Sequence, residues 1–183
     1  MVREIANLDR LVIDLIEMSR FDAGTAVLDT DVVNITTAVR ASLARRGWTD
    51  LVTLSIPPDL VAELDRRRFD VIVANLVGNA VKYGAAPIEL TVHAPTGPAP
   101  APGPLVLTVC DRGPGLPPPA LAHVFDRFYK ADEARARSDG SGLGLAIAAE
   151  NARLHGGTLS VENRTDGGAC FRLELPATHR HDP

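Results

Sequence analysis

The sequence predicts an α+β two-layer sandwich, one mixed sheet with helices on one face, preceded by a single bundle helix. Three observations lead there. Apolar residues change period along the chain, from helical spacings of three and four to strand-like alternation and back. The resulting order is helix, helix, strand, helix, strand, strand, long loop, helix, strand, strand. The 183 residues suffice for one domain with a full core and a short appendage. The balance of 45% hydrophobic against 23% charged residues is that of an ordinary globular chain.

Residues 2–20 read as an amphipathic helix. Ile5, Leu8, Val12 and Leu15 are spaced like a coiled-coil seam, and Leu11, Ile16 and Met18 widen the apolar face. A helix apolar on two sides wants partners on both. Gly24, in FDAG (21–24), supplies its C-cap. A second helix spans 34–46, with Asn34 as N-cap and Gly47 as its stop. LVTLSI (51–56) is a strand ended by Pro57 and Pro58, and a third helix runs from Asp65 to Lys82. IELTVHA (88–94) and LVLTVC (105–110) are strands joined by PTGPAPAPGP (95–104), a tract unsuited to sheet or helix and read as an exposed hairpin loop. Residues 111–140 are rich in Pro, Gly and charge, with one short helix around 119–127. Loops of such length in compact domains are functional lids or disordered segments. A helix over 142–155 follows, then TLSVEN (158–163) and ACFRLELP (169–176), joined by the hairpin-forming RTDGG. The tail, 179–183, is expected to fray.

Charge and cysteine usage narrow the function classes. The net charge is −4, and the densest basic stretch, Arg66 to Arg68, is flanked by Asp65 and Asp70, so nucleic acid is not an expected partner. Cys110 and Cys170 lie in apolar strand-like runs with no metal-type spacing. They are expected to be buried thiols in a reducing compartment, a disulfide having no support from sequence. No apolar run approaches the ~18 residues of a membrane span. Arg3, Glu4, Asp9 and Arg10 interrupt any leader peptide, so the chain is expected to be cytoplasmic.

Four stretches carry chemistry, each with a plainer alternative. In NLVGNAVKY (75–83), Asn75, Asn79 and Lys82 form one polar stripe beside a core face of Phe69, Ile72, Val73, Leu76 and Ala80. Carboxamide oxygens suit Mg²⁺, Lys82 suits phosphate and Gly78 leaves room for a ligand, although a solvated polar face would look alike. DRGPG (111–115) places Asp111 at the end of a strand, where an exocyclic amine could be read, with Gly113 and Gly115 letting backbone approach; an ordinary turn has the same residues. VFDRFYKADEAR (124–135) interleaves Phe125, Phe128 and Tyr129 with Arg127 and Lys130, fitting a lid over a polyphosphate or a short helix pinned by its aromatics. SDGSGLGLAIA (138–148) spaces Gly140, Gly142 and Gly144 ahead of a helix, as a phosphate cradle or a flexible turn would.

Taken in order, these stretches resemble the boxes of the catalytic ATP-binding domain of bacterial sensor histidine kinases, within the ATPase superfamily shared with gyrase, Hsp90 and MutL. NLVGNAVKYG is similar to its N box, DRGPG to its first glycine box, FDRFYKADEAR to its F box and GSGLGLAIA to its second glycine box, with LHGGTLSVEN and GGACFRLELP as its closing strands. EIANLDRLVIDLIEMSRFDAG resembles the second helix of the family's dimerisation hairpin. The implied organisation is hairpin helix at 1–24, catalytic domain at 25–178 with an ATP lid at 112–140, and tail at 179–183.

The resemblance implies ATP and Mg²⁺ as cofactors and assigns roles. Asn79 would be the main metal ligand and Asn75 would help hold the metal or its water; Lys82 would meet phosphate, Tyr83 would pack on the nucleotide and Asp111 would read the adenine amine. Gly113 and Gly115 would shape that pocket, Arg127, Phe128 and Lys130 would act from the lid, and Ser141, Gly142, Leu143, Gly144 and Leu145 would offer backbone N–H groups to the triphosphate. The family's phosphoacceptor histidine is missing, since His93, His123, His155, His179 and His181 all lie outside such a helix. The implied function is transfer of the ATP γ-phosphoryl to a histidine on a hairpin domain of the full-length, membrane-anchored protein, for relay to a response regulator. Helix 2–20 would form a homodimer. A serine kinase of the anti-sigma-factor type is opposed by the F box and the leading helix, and a purely nucleotide-sensing module by the complete motif set.

Overall fold

The structure, a computed structural model, describes residues 2–94, 103–130, 141–176 and 179–181. Helix α1 (Val2–Asp22) leads into β1 (Asp31–Asn34), α2 (Ile35–Arg46), β2 (Val52–Ser55), β3 (Leu60–Leu64) and α3 (Arg66–Tyr83). Then come β4 (Ile88–His93), β5 (Leu105–Cys110), the short α4 (Pro118–Leu121), α5 (Gly144–Leu154), β6 (Thr158–Asn163), β7 (Ala169–Leu175) and β8 (His179–His181). Five strands form a sheet in the order β2-β4-β5-β7-β6, in which β2 and β4 are parallel and the other pairs antiparallel. This is the expected mixed sheet.

Local chemistry sets the helix ends. The Asn34 side chain accepts the Thr37 N–H at 2.8 Å to start α2, and Gly47 stops it with φ at 68°. Along β4 and β5 the residues Ile88, Leu90, Val92, Leu105, Leu107 and Val109 are buried, alternating with more exposed neighbours. The buried face of α3, with Phe69, Ile72, Val73, Leu76, Val77 and Ala80, joins these strands in one core.

Asp65 caps α3 and ties it to the linker after α1. Its carboxylate accepts the N–H groups of Arg67 (2.9 Å), Arg68 (3.0 Å) and Asp29 (3.0 Å), while its own N–H donates to His155 Nε2 at 3.1 Å. Burial pushes the carboxyl up, but those N–H groups and the Arg68 guanidinium outweigh it and hold it below its ordinary 3.8. A depressed folded-state value means stability present above the unfolded value and lost as pH falls through the folded one. Asp65→Ala is therefore expected to cost about 1–2 kcal/mol at pH 7. In urea unfolding the gap from the parent chain should close as pH falls through the depressed folded-state value; a gap independent of pH would point to packing instead.

The structure departs from expectation in three places. A second sheet, β1-β3-β8, lies beside the first. Its strands are four, five and three residues long, too short for alternation to show in sequence. The tail does not fray over 179–181. It pairs antiparallel with β3, Leu60 opposite His181, and covers an edge whose N–H and C=O groups would otherwise lack partners. Cys110 and Cys170 are not free thiols. They stand opposite each other on β5 and β7 and form a disulfide, because the antiparallel register brings residues 60 apart side by side. Closing a loop of that length, the bond is expected to contribute about 2–4 kcal/mol. Reductant should expose two thiols and lower the urea midpoint; an unchanged midpoint would contradict this.

Helix α1 is half partnered. Met18 and Phe21 are buried against Leu143, Ala146 and Ile147 of the α5 region, whereas Leu8, Val12, Ile13, Leu15 and Ile16 remain exposed. The tract 95–102 and the lid segment 131–140 lie outside the described residues.

Candidate functional site

The polar stripe of α3 faces a cleft of about 310 Å³. Asn75, Asn79 and Lys82 line it from α3, Lys130 from the end of the segment after α4, and Ser141, Gly142, Gly144 and Leu145 from the start of α5. Asn75 donates through Nδ2 to the Val71 carbonyl at 2.9 Å, which turns Oδ1 outward. A Cβ on residue 144 would collide with that oxygen, so glycine lets the α5 start press against the carboxamide. The Asn79 side chain makes no hydrogen bond to a described residue. The two carboxamides therefore sit opposite a helix N-terminus, the positive end of its dipole.

A smaller pocket adjoins the cleft, sharing Asn79, Tyr83 and Leu116, and continues to Asp111 and Gly115. Asp111 leaves the end of β5 and is buried. Its N–H donates to the Ala169 carbonyl at 3.0 Å, and its Oδ1 accepts the Gly113 N–H at 2.7 Å. Its other oxygen accepts from no described donor. At Gly84 a Cβ would stand 2.5 Å from the Asp111 Cγ, so the α3 end closes against the carboxylate only because that residue is glycine.

A family model for the histidine kinase-, DNA gyrase B-, and HSP90-like ATPases matches residues 64–179. The chain belongs to this ATPase family. It is 49% identical over 175 residues to the signal transduction histidine-protein kinase AfsQ2 of Streptomyces coelicolor, covering 96% of this chain and 32% of the relative. To the sensor histidine kinase MtrB of Mycobacterium tuberculosis it is 37% identical over 189 residues, covering 99% of this chain and 32% of the relative. It thus spans about a third of the length of these relatives. Among solved structures, full-length ShkA in complex with AMPPNP superposes with a TM-score of 0.78 at 30% identity, covering 99% of this chain and 38% of that one. The ATP binding domain of PrrB from Mycobacterium tuberculosis superposes at 0.62 with 31% identity, covering 81% and 98%.

Within this ATPase framework most of the sequence-derived residues converge: Asn75, Asn79, Lys82, Tyr83, Asp111, Gly115, Lys130, Ser141, Gly142, Gly144 and Leu145 all line the two pockets. Gly113 stands behind, against Asp111 and Gly84. Three residues lie elsewhere. Leu143 is fully buried under α1, which leaves only its backbone to serve the cleft. Phe128 is 59% exposed, turned out by a left-handed backbone at φ 63°. Arg127, expected near phosphate, instead pairs with Asp22 of α1 at 2.8 and 2.5 Å. The Arg127 guanidinium in turn holds the Asp22 carboxyl below its usual value.

Sequence reading missed two residues of the cleft. Trp48, after α2, lies over Gly78, where a Cβ would stand 3.1 Å from its ring; Gly78 makes room for this ring. Asp14 reaches the cleft from α1 and accepts the Ser141 hydroxyl at 3.0 Å. Neither had a local motif, since both arrive from elements distant in sequence.

Proposed function

We propose that this chain is the ATP-binding catalytic part of a two-component sensor histidine kinase. The observation that carries the reading is the cleft in which two carboxamides and Lys82 face the glycine-rich start of α5. The names of the relatives and the AMPPNP complex of a structural neighbour support it.

The residues fit Mg·ATP. Among the described residues no cluster of three His, Cys, Asp or Glu side chains could hold a metal. The donors available are the amide oxygens of Asn75 and Asn79, suited to a hard ion that keeps waters and takes phosphate oxygens for the rest of its shell. When bound, Mg²⁺ would neutralise charge on the phosphates. Tyr83 would pack on the base and Asp111 would accept from its amine, with Gly113 and Gly115 shaping that end. Lys82, Lys130 and the backbone N–H groups around Gly142 to Leu145 would hold the triphosphate in line with an incoming ring nitrogen. The P–N bond forms as the bond between the γ-phosphorus and its bridging oxygen breaks, and ADP leaves. The acceptor histidine would come from a hairpin domain outside this chain, and a response regulator would take the phosphoryl from it.

The exposed apolar residues Leu8, Val12, Leu15 and Ile16 recur on one side of α1, as a homodimer seam would require. Among the described residues no helix is long and apolar enough to cross a membrane. We place the chain on the cytoplasmic side of a membrane-anchored protein.

The test is to mix the chain with γ-labelled Mg·ATP and a histidine-bearing hairpin domain. Acid-labile label on the hairpin is expected. Acid-stable label would indicate a serine kinase, and no label a nucleotide sensor.

A further inference from the structure

Helix α1 packs beside the cleft through a stripe of four side chains, of which Asp14 lines it. Asp14, Met18, Phe21 and Asp22 are spaced four, three and one apart and so share one helix face. The two apolar residues seat the helix: Met18 and Phe21 are buried on Leu143, Ala146 and Ile147, the turn that opens α5. The two carboxylates flank that seat, Asp14 on a hydroxyl that lines the cleft and Asp22 on the arginine expected from sequence near phosphate. Asp14 Oδ2 accepts the Ser141 hydroxyl at 3.0 Å, and the Ser141 oxygen in turn accepts the Leu143 N–H at 3.2 Å. Asp22 holds Arg127 through both guanidinium nitrogens.

From this arrangement we infer that α1 is a built-in competitor of the nucleotide: its acidic pair holds the Ser141 hydroxyl at the cleft and keeps Arg127 away from it, so that docking of α1 and binding of ATP oppose each other. The inference rests on the cleft being the ATP site. Its physical basis is charge. Asp14 lines the same cleft as Lys82, Lys130 and the α5 start, and a triphosphate entering there brings further negative charge beside a carboxylate. Arg127 cannot serve Asp22 and a phosphate with the same bidentate fork. Because the seat and the phosphate loop are one turn of chain, drawing Ser141 and Leu143 toward phosphate loosens the seat of Met18 and Phe21. The coupling must be reciprocal, so nucleotide should also release α1.

The experiment uses the whole chain, with Mg·ATP titrated calorimetrically into the parent, Asp14→Asn, Asp22→Asn and the double variant. Asp9→Asn, an exposed α1 carboxylate away from the seat, is the control. The double variant should bind about threefold tighter or better, with the gain shrinking as salt rises, and Asp9→Asn should match the parent. In the parent, saturating Mg·ATP should raise amide hydrogen exchange over residues 14–22 of α1. Equal affinities, together with α1 exchange unaffected by nucleotide, would overturn the antagonism while leaving the ATP site standing. Weaker binding by Asp14→Asn would also overturn it and make the carboxylate an aid to the metal. If none of the chains binds ATP, the site reading falls and the inference with it.

Discussion

Asn79→Ala is expected to weaken Mg·ATP binding by about 100-fold or more in titration calorimetry. Asn79 lines both the cleft and the adjoining pocket, so its oxygen can meet a metal at the phosphate end while its stem borders the base. Among the described residues its side chain has no hydrogen-bond partner to lose. Alanine is also the better helix former, so α3 should gain rather than lose intrinsic stability. The melting temperature without ligand should therefore stay level or rise, which separates a binding defect from misfolding. Chelating Mg²⁺ should bring the parent chain close to the affinity of the variant. Unchanged affinity in Asn79→Ala would remove the residue from the metal and with it the proposed arrangement of the cleft.

The second large effect is expected from Asp111→Asn, about 30- to 100-fold in ATP affinity. A carboxylate has two acceptor oxygens, and here Oδ1 already serves the Gly113 N–H at 2.7 Å. In the proposed arrangement the other oxygen would accept from the adenine amine. Asparagine has only one acceptor. If its oxygen keeps Gly113, its amide hydrogens meet the hydrogens of the amine; if it serves the amine, the Gly113 N–H loses its partner. One buried donor is unsatisfied either way. The triphosphate end is untouched, so inorganic triphosphate should bind the parent and the variant alike, and the preference for ATP over GTP should narrow. Equal loss for both ligands would mean that the variant had deformed the site instead of changing how the base is read.

Much of this was legible from short-range pattern. The N-cap at Asn34, the stop at Gly47 and the buried face of α3 each follow from residues within a turn or two of one another. The polar stripe on α3 was legible for the same reason: positions 75, 79 and 82 share a face in any helix. The order of the four boxes then joined the stripe to Asp111 and to the start of α5. Arg127 shows where this reasoning stops. Its place in an F-box-like stretch suggested phosphate, but a carboxylate from a helix 105 residues earlier holds it. Cys110 and Cys170 show the same limit, because nothing near either cysteine announces the strand register that pairs them.

The sequence by itself determined the helices, the main strands, the polar stripe and the glycine-rich turns, since hydrophobic period, capping chemistry and backbone freedom act over a few residues. Only the tertiary structure decided the second sheet with its C-terminal strand, the disulfide, the ring of Trp48 over Gly78 and the seating of α1, with Asp14 at the site and Asp22 on Arg127. Each of these joins segments far apart in the chain. Their energies come from burying surface and pairing groups across that distance, and such contacts leave no periodic trace in either segment alone.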